Sequence, residues 1–323
     1  MSDFAPAMTA DQWDRIRQIV HDEALRARVA ASFLPLYGPI PGAAAAVPVD
    51  ILSYESLSEP SRSQPLQRMV VNDYETLRLA SISVNVYLKN HMLADPELAA
   101  ATTMFSRAAK IIARVEDSLI FNGKPGAEIV GTEDLQKAFE VSGADKHHGL
   151  VYYGSKPAGT PVPITYANPV DAGPAVFTAV VEAIGRLERQ GHYKSYALVL
   201  ATDLFTAINR PIPNSMVLPA DAVPALLDGP LLRASSLGNG QGLVISLQGN
   251  PAEIVVASDI SVRYLQGTLD GLHAFRVSER LVLRVKEPSA IVLIESETRT
   301  GTGTHTGSRT ETRRDEKPSN PPG

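Results

Sequence analysis

The segment from Asp95 to Gly123 constrains this chain more than any other part of it. Leu98, Ala101, Phe105, Ala108, Ile112, Val115 and Leu119 recur at steps of three and four, the spacing that puts side chains on one face of an α-helix. Asp95 can cap such a helix, Pro96 suits its first position, and Asn122-Gly123 is a stop signal. At about 1.5 Å per residue the helix spans roughly 40 Å. That is the width of a small domain, so the fold must be laid out along it as along a spine, with the stripe read as core.

Upstream, Thr9 and Gln12 stand at capping-box spacing ahead of Trp13, Ile16, Val20 and Ala24 or Ala27, which share one face of an amphipathic helix ending near Ser32. Phe33-Leu34-Pro35-Leu36-Tyr37-Gly38-Pro39 follows. Its prolines and glycine forbid helix and leave an extended apolar strap that must lie on something. Pro41–Pro48 is an Ala/Gly/Pro connector. The runs Val49–Leu57 and Met69–Leu88 flank the polar turn segment Ser58–Pro65, and Ile82, Val84 and Val86 alternate strictly. We expect these runs to pair as one long projecting hairpin, a ribbon too thin to stand alone in water.

Residues 124–170 are irregular and polar. A second amphipathic helix opens near Pro174 and carries Val176, Val180, Ala183 or Ile184, and Leu187. Tyr196–Ala201 is a short continuous apolar run, the pattern of a buried strand. Asp203 can cap a brief helix over Leu204–Asn209, Arg210–Ser215 forms a proline-stiffened loop, and a short helix lies near Ala220–Leu227. Strands are expected over Leu232–Leu237, Leu243–Leu247, Glu253–Ala257, Ile260–Leu265, Phe275–Val285 and Ala290–Glu295. Phe275, Val277, Leu281, Leu283 and Val285 share one face of their strand, with Arg276, Ser278, Arg280, Arg284 and Lys286 on the other. From 296 to 323 nothing aliphatic or aromatic occurs beyond His305, which predicts a disordered tail.

Composition narrows the chemistry. The 35 acidic and 30 basic side chains leave a charge of −5, no footprint for a nucleic-acid backbone. With no cysteine there is no disulfide, thiolate nucleophile or Cys-bound metal. The N-terminus lacks a basic leader and no apolar run spans a membrane, so a soluble, cytoplasmic protein is expected. Hydrolase elbow, phosphate loop and zinc-protease motifs are missing. Gly238-Asn239-Gly240-Gln241-Gly242 joins two strands and reads as a turn, not as a dinucleotide fingerprint. His147-His148 reads as a solvated loop, Glu116-Asp117 as separate structural or capping residues, and Arg313-Arg314 as a solvated tail cluster. No catalytic residue, cofactor or metal is expected; the parts suit a protein whose work is contact.

The order of these parts resembles a family 1 encapsulin shell protein. The matching words are Phe4-Ala5-Pro6 with Gln12-Trp13, Tyr37-Gly38-Pro39, and Val115-Glu116-Asp117-Ser118-Leu119-Ile120-Phe121-Asn122-Gly123 at the end of the spine. Gly191-His192-Tyr193 before Tyr196–Leu200, and Phe275-Arg276-Val277 through Arg284–Ala290, complete the set. The words run from about residue 4 to 295.

The resemblance implies an α+β chain with the Hong Kong ninety-seven-like fold of tailed-phage major capsids. It divides the chain into an N-terminal helix and strap (1–48), an extended loop (49–90), the spine (91–123), an axial domain (124–250), peripheral strands (251–295) and the tail. It implies a homo-oligomeric icosahedral shell whose neighbours are joined by the extended loop. A cargo enzyme, a peroxidase or ferritin-like iron oxidase, would be held by its C-terminal targeting peptide against Phe33, Leu34, Leu36, Ile260, Val262 and Tyr264. Arg210, Pro211, Pro213, Asn214 and Ser215 would line a pore for ions and small metabolites. The strap lacks the basic residue and aspartate that the family often carries there. A phage or prophage major capsid protein is the alternative, and a hydrolase a distant third for want of a nucleophile–base pair.

Overall fold

The computed structural model describes residues 8–41, 44–57, 66–72, 74–144, 147–155, 159–212, 215, 217–268 and 270–296. Helix α1 (Ala10–Ala27) opens with the expected capping box, the Thr9 amide donating to Gln12 Oε1 at 3.0 Å and the Gln12 amide to Thr9 Oγ1 at 3.3 Å. After a 3₁₀ turn at Ala30–Ser32 come β1 (Leu36–Tyr37), β2 (Ala46–Pro48), β3 (Ile51–Leu57), β4 (Leu66–Asn72), β5 (Thr76–Arg78), β6 (Ala80–Lys89), α2 (Asn90–Leu93) and the spine α3 (Ala99–Asn122). Then follow α4 (Lys124–Glu128), α5 (Glu133–Gln136), β7 (Phe139–Ser142), α6 (Leu150–Ser155), β8 (Val162–Ile164), α7 (Ala172–Arg189), β9 (Tyr196–Leu200), α8 (Thr202–Ile208) and α9 (Pro219–Leu227). The chain continues through β10 (Leu231–Arg233), β11 (Gln241–Ser246), β12 (Ala252–Gly267), β13 (Leu272–Val285) and β14 (Ile291–Ser296).

The first core lies between the spine and a five-stranded sheet of order β1-β12-β13-β6-β7. Helices α1 and α3 pack on that sheet and on each other. Phe275 centres the contact: its ring sits 5.7 Å from Trp13, 5.5 Å from Phe105 and 5.4 Å from Tyr264. The spine starts slightly later than its pattern suggests, because Asp95 caps a preceding turn through the amides of Glu97 and Ala99, both at 3.0 Å. From Ala108 onward the spine is buried nearly all round. A one-sided stripe does not announce that, since the extra burial comes from α1, α6 and the second sheet.

The second sheet has the order β10-β9-β11-β14-β8. Its middle strands are buried on both faces, which explains their continuous apolar runs. Val199, Leu243, Ile245, Ile291 and Leu293 join the first core, while Leu198, Leu200, Val244, Val292 and Ile294 pack with α7, α8 and α9 in a second one. Asp203 is not the cap of α8, which Ala201 begins; it accepts the Gly240 amide at 2.7 Å and so holds the glycine turn between β10 and β11.

The long hairpin is shorter than expected. Among the described residues, strands β3 and β4 pair from Ile51↔Asn72 to Leu57↔Leu66. The rest of the run Met69–Leu88 turns away: β5 pairs with β2, and β6 pairs with β13, placing Val84 beside Val277 and Val86 beside Phe275. The alternation of Ile82, Val84 and Val86 is real, but it buries against the spine, where apolar neighbours exist that a two-stranded ribbon cannot supply. Strands expected at Glu253–Ala257 and Ile260–Leu265 are one strand, β12, interrupted by bulges around Ser258. The polar face of β13 is partly covered too, since Val282 packs with Val47, Leu79, Val255 and Ala257. The hairpin tip and the expected tail beyond Ser296 lie outside the described residues.

Candidate functional site

Three places carry the features the sequence singled out: the strap, the hairpin and the loop after α8. The strap is held from both sides. Leu36 and Tyr37 run parallel to Ile254 and Val255 of β12, and Phe33 stacks on Phe121 of the spine at 6.4 Å. Arg284 lies 4.9 Å over the Tyr37 ring and donates at 2.7 Å both to Glu253 and to Asp50.

Beside the strap is a cavity of about 290 Å³, lined by Arg28, Leu36, Gly38, Pro39, Glu116, Val256, Ser258, Asp259, Glu279 and Leu281. Its floor is ionic. Arg28 follows α1 one helical step after the buried Ile16, Val20 and Ala24, so the apolar stripe delivers a guanidinium into the core. There Arg28 Nε lies 2.5 Å from Glu116, its Nη1 3.3 Å from Asp259, and its Nη2 bonds Glu279. The β12 bulge turns Asp259 into this contact, a common use of an extra residue in a strand.

Burial opposes the Arg28 cation, but Glu279, Glu116 and Asp259 outweigh it and raise its pKa. Burial likewise lifts Glu116 well above the carboxylate range, with repulsion from Glu279 adding to it. Glu279 is raised by burial, with Arg28 opposing. Asp117 is pushed up to about 7 by burial, against the backbone amides it accepts.

Charged groups nonetheless stand beside the strap. They come from its flanks: Arg28 stands just before it, and Asp117 accepts the Val29 amide at 3.0 Å and the Ala30 amide at 2.8 Å. Of the six residues expected to face a cargo peptide, only Leu36 lines the cavity. Leu34, Ile260 and Val262 are buried in the first core beneath α1, and Phe33 and Tyr264 are half-buried against it.

The hairpin is attached to the body where the Leu52 amide donates to Lys286 O at 2.8 Å. Met69 and Val71, on one face of β4, are 65% and 58% exposed. The loop after α8 exposes Arg210, Pro211 and Ser215, and is closed by Ile212 N to Val217 O at 3.1 Å and Ser215 N to Ile212 O at 2.9 Å. Pro213 and Asn214 lie outside the described residues.

Catalytic geometry is not assembled at the two histidine features. His147 is buried rather than solvated; burial and its neighbour His148 push it down to about 4. His192 Nε2 lies 3.1 Å from Ser289 Oγ and 3.7 Å from Glu287. Both contacts use one ring nitrogen, whereas a triad needs its acid on the other. Among the described residues no cluster could hold a metal ion, and no helix is long and apolar enough to cross a membrane.

The model of a family described as the encapsulating protein for peroxidase, Linocin_M18, matches residues 1–151 and 148–282. The chain belongs to this encapsulin family. The type 1 encapsulin shell protein EncA of Myxococcus xanthus is 26% identical over 298 residues, covering 88% of this chain and 92% of that protein. A diheme-cytochrome-encapsulin shell fusion protein of Kuenenia stuttgartiensis is 25% identical, covering 88% and 73%. A virus-like particle of Pyrococcus furiosus aligns with a TM-score of 0.56 at 16% identity, covering 88% of this chain and 99% of that one. The capsid of Myoviridae phage XM1 aligns at 0.55 and 13%, covering 81% and 90%. The encapsulin chain therefore has the α+β, Hong Kong ninety-seven-like capsid fold, and it is a shell protein, not an enzyme.

Proposed function

We propose that copies of this chain close into an icosahedral nanocompartment in the cytoplasm that encloses a cargo enzyme and admits small molecules and ions through pores. The spine and first sheet are the peripheral domain, β3–β4 the extended loop, and the second sheet with α7, α8 and α9 the axial domain. The observation that carries the reading is the hairpin with its exposed Met69 and Val71: a two-stranded ribbon needs a partner surface, and a second copy supplies one in a closed assembly of identical chains.

The cargo enzyme, a peroxidase or ferritin-like protein serving peroxide defence or iron homeostasis, docks its C-terminal targeting peptide at the strap. Leu36, Phe33 and Tyr264 give the accessible part of that face, and Leu34, Ile260 and Val262 its floor. The loop containing Arg210, Pro211, Pro213, Asn214 and Ser215 lines a pore. No nucleic acid is packaged, in keeping with the net charge of −5.

Light scattering on the purified protein, with negative-stain images of the same peak, tests this. Hollow particles of roughly a megadalton or more are expected. A monomer or small oligomer overturns the shell reading, and DNA-filled particles favour a phage capsid protein instead.

A further inference from the structure

A second cavity, of about 360 Å³, lies away from the strap, between the spine and the turn that follows β10. Arg114, Ser118 and Asn122 reach it from α3 at steps of four, so they share a helix face. Ser235, Ser236 and Leu237 line it from the turn, and Ile129 and Val130 from the segment after α4. Asn122 ties the two sides together, its Nδ2 donating to Ser236 O at 2.6 Å and to Ser118 Oγ at 3.4 Å.

The wall has donors to spare. Ser118 is only 3% exposed, and since its oxygen accepts from Asn122 its hydroxyl hydrogen is available; no acceptor meets it among the described residues. The Ala234 amide is taken by Leu200 O and the Gly238 amide by Gln241 Oε1, but the three amides between them donate to nothing among the described residues. Successive free amides in a turn favour an anion.

The charge matches. Among the described residues Arg114 is the only ionisable residue of the wall. Lys110, one turn earlier on the spine, meets Glu23 at 3.0 Å, and Asp117, one turn later, is turned to the amides of Val29 and Ala30. Arg114 stays exposed, with no acid partner among the described residues.

We propose that this cavity is a receptor for a phosphate group, bound through the Arg114 guanidinium, the Ser118 hydroxyl and the donors of the Ser235–Leu237 turn. A guanidinium fork with several single donors beside it suits a tetrahedral anion, which offers more acceptor sites than a carboxylate. Ile129, 70% exposed, and Val130 give a small organic body an apolar surface. The volume falls at the small end of ligand clefts. Because the site joins the spine to the second sheet and touches neither strap nor hairpin, it is independent of cargo docking and of shell assembly.

The test is a calorimetric titration of the full-length protein with inorganic phosphate, ethyl phosphate and acetate. It is run in chloride of constant ionic strength at about pH 8, where both phosphates are dianions. We expect saturable phosphate binding, with acetate at least about tenfold weaker. Arg114→Gln weakens phosphate binding at least about tenfold, Ser118→Ala by about fivefold, and Arg114→Lys, which keeps the charge and loses the fork, falls between wild type and Gln. Arg107→Gln, two turns earlier on the spine and outside this wall, leaves binding unchanged. As a second readout, phosphate raises the melting temperature of wild type and not of Arg114→Gln. Ethyl phosphate bound tighter by about fourfold per buried methylene assigns the site to an organic phosphate, equal binding assigns it to the free anion, and both support the receptor. No saturation by either phosphate, acetate bound as tightly, or an equal loss in Arg107→Gln and Arg114→Gln overturns it.

Discussion

The carboxylate of Asp117 accepts the backbone amide of Ala30 at 2.8 Å, joining the middle of the core to the first residue of the strap turn. The Val29 amide reaches the same carboxylate at 3.0 Å. Both amides stand at the start of a 3₁₀ turn, where the backbone offers them no partner. Asp117→Ala leaves them unpaired at a cost of about 1–3 kcal/mol per group, and Asp117→Asn, which keeps one acceptor oxygen, loses less. Urea melts of the unassembled chain should rank wild type above Asn above Ala. Equal midpoints for wild type and Ala mean that the turn is held by packing alone.

The same cluster gives stability a slope with pH. An acid whose folded pKa is raised keeps its proton more tightly in the native state. Its stabilising share is therefore complete below the unfolded pKa and is lost as pH rises through the folded one. For Asp117 that window runs from 3.8 to about 7, and Glu116 loses its share above 4.5 in the same direction. Glu116→Gln mimics the protonated form, accepting from Arg28 and donating to Glu279. Melting temperature between pH 5 and 9 should fall more steeply for wild type than for this variant. Parallel curves show that Glu116 does not titrate in that range.

Much of this fold was legible in the sequence because its elements obey single periods. The capping box at Thr9, the spine to Asn122 and the two-faced burial of Tyr196–Leu200 each follow from local pattern. The partner of β6 was not, since alternation tells which face is buried and not which strand lies alongside. The ionic floor left a trace that apolar patterning passes over. Arg28 stands at the next step of the stripe Ile16, Val20, Ala24, and Glu279 sits between Val277 and Leu281 on the apolar face of β13. A charge at a core position in two elements is the signature of a buried pair, although the bulge that brings Asp259 to them has no sequence mark of its own.

The joint between the spine and the second sheet admits no side chain at Gly149. A Cβ there would lie 2.3 Å from Phe121 O and 2.5 Å from the Asn122 amide, both backbone atoms that cannot swing aside. Gly149→Ala should therefore destabilise the chain by on the order of 3 kcal/mol, the upper end for overpacking. The check is a urea midpoint measured beside that of Gly185→Ala, whose Cβ would meet nothing nearer than Arg189 at 3.7 Å. Similar midpoints for the two variants show that the joint can open by the ångström it needs.

The hairpin prediction separates folding from assembly. Among the described residues β3 and β4 pair only with each other, and the Leu52 amide on Lys286 O attaches their base to the body. Met69 and Val71 lie two residues apart, so they share a face of the ribbon, and each is more than half exposed. Neither side chain belongs to a core formed by the described residues. Met69→Glu with Val71→Glu should leave circular dichroism and the urea midpoint of the single chain unchanged while particles of shell mass disappear from light scattering. Burying two carboxylates against a neighbour costs several kcal/mol per ion at each such contact, and a closed shell repeats that contact at every subunit. Deletion of residues 55–68 should have the same effect. Shells of normal mass from both variants would leave the ribbon without a part in assembly.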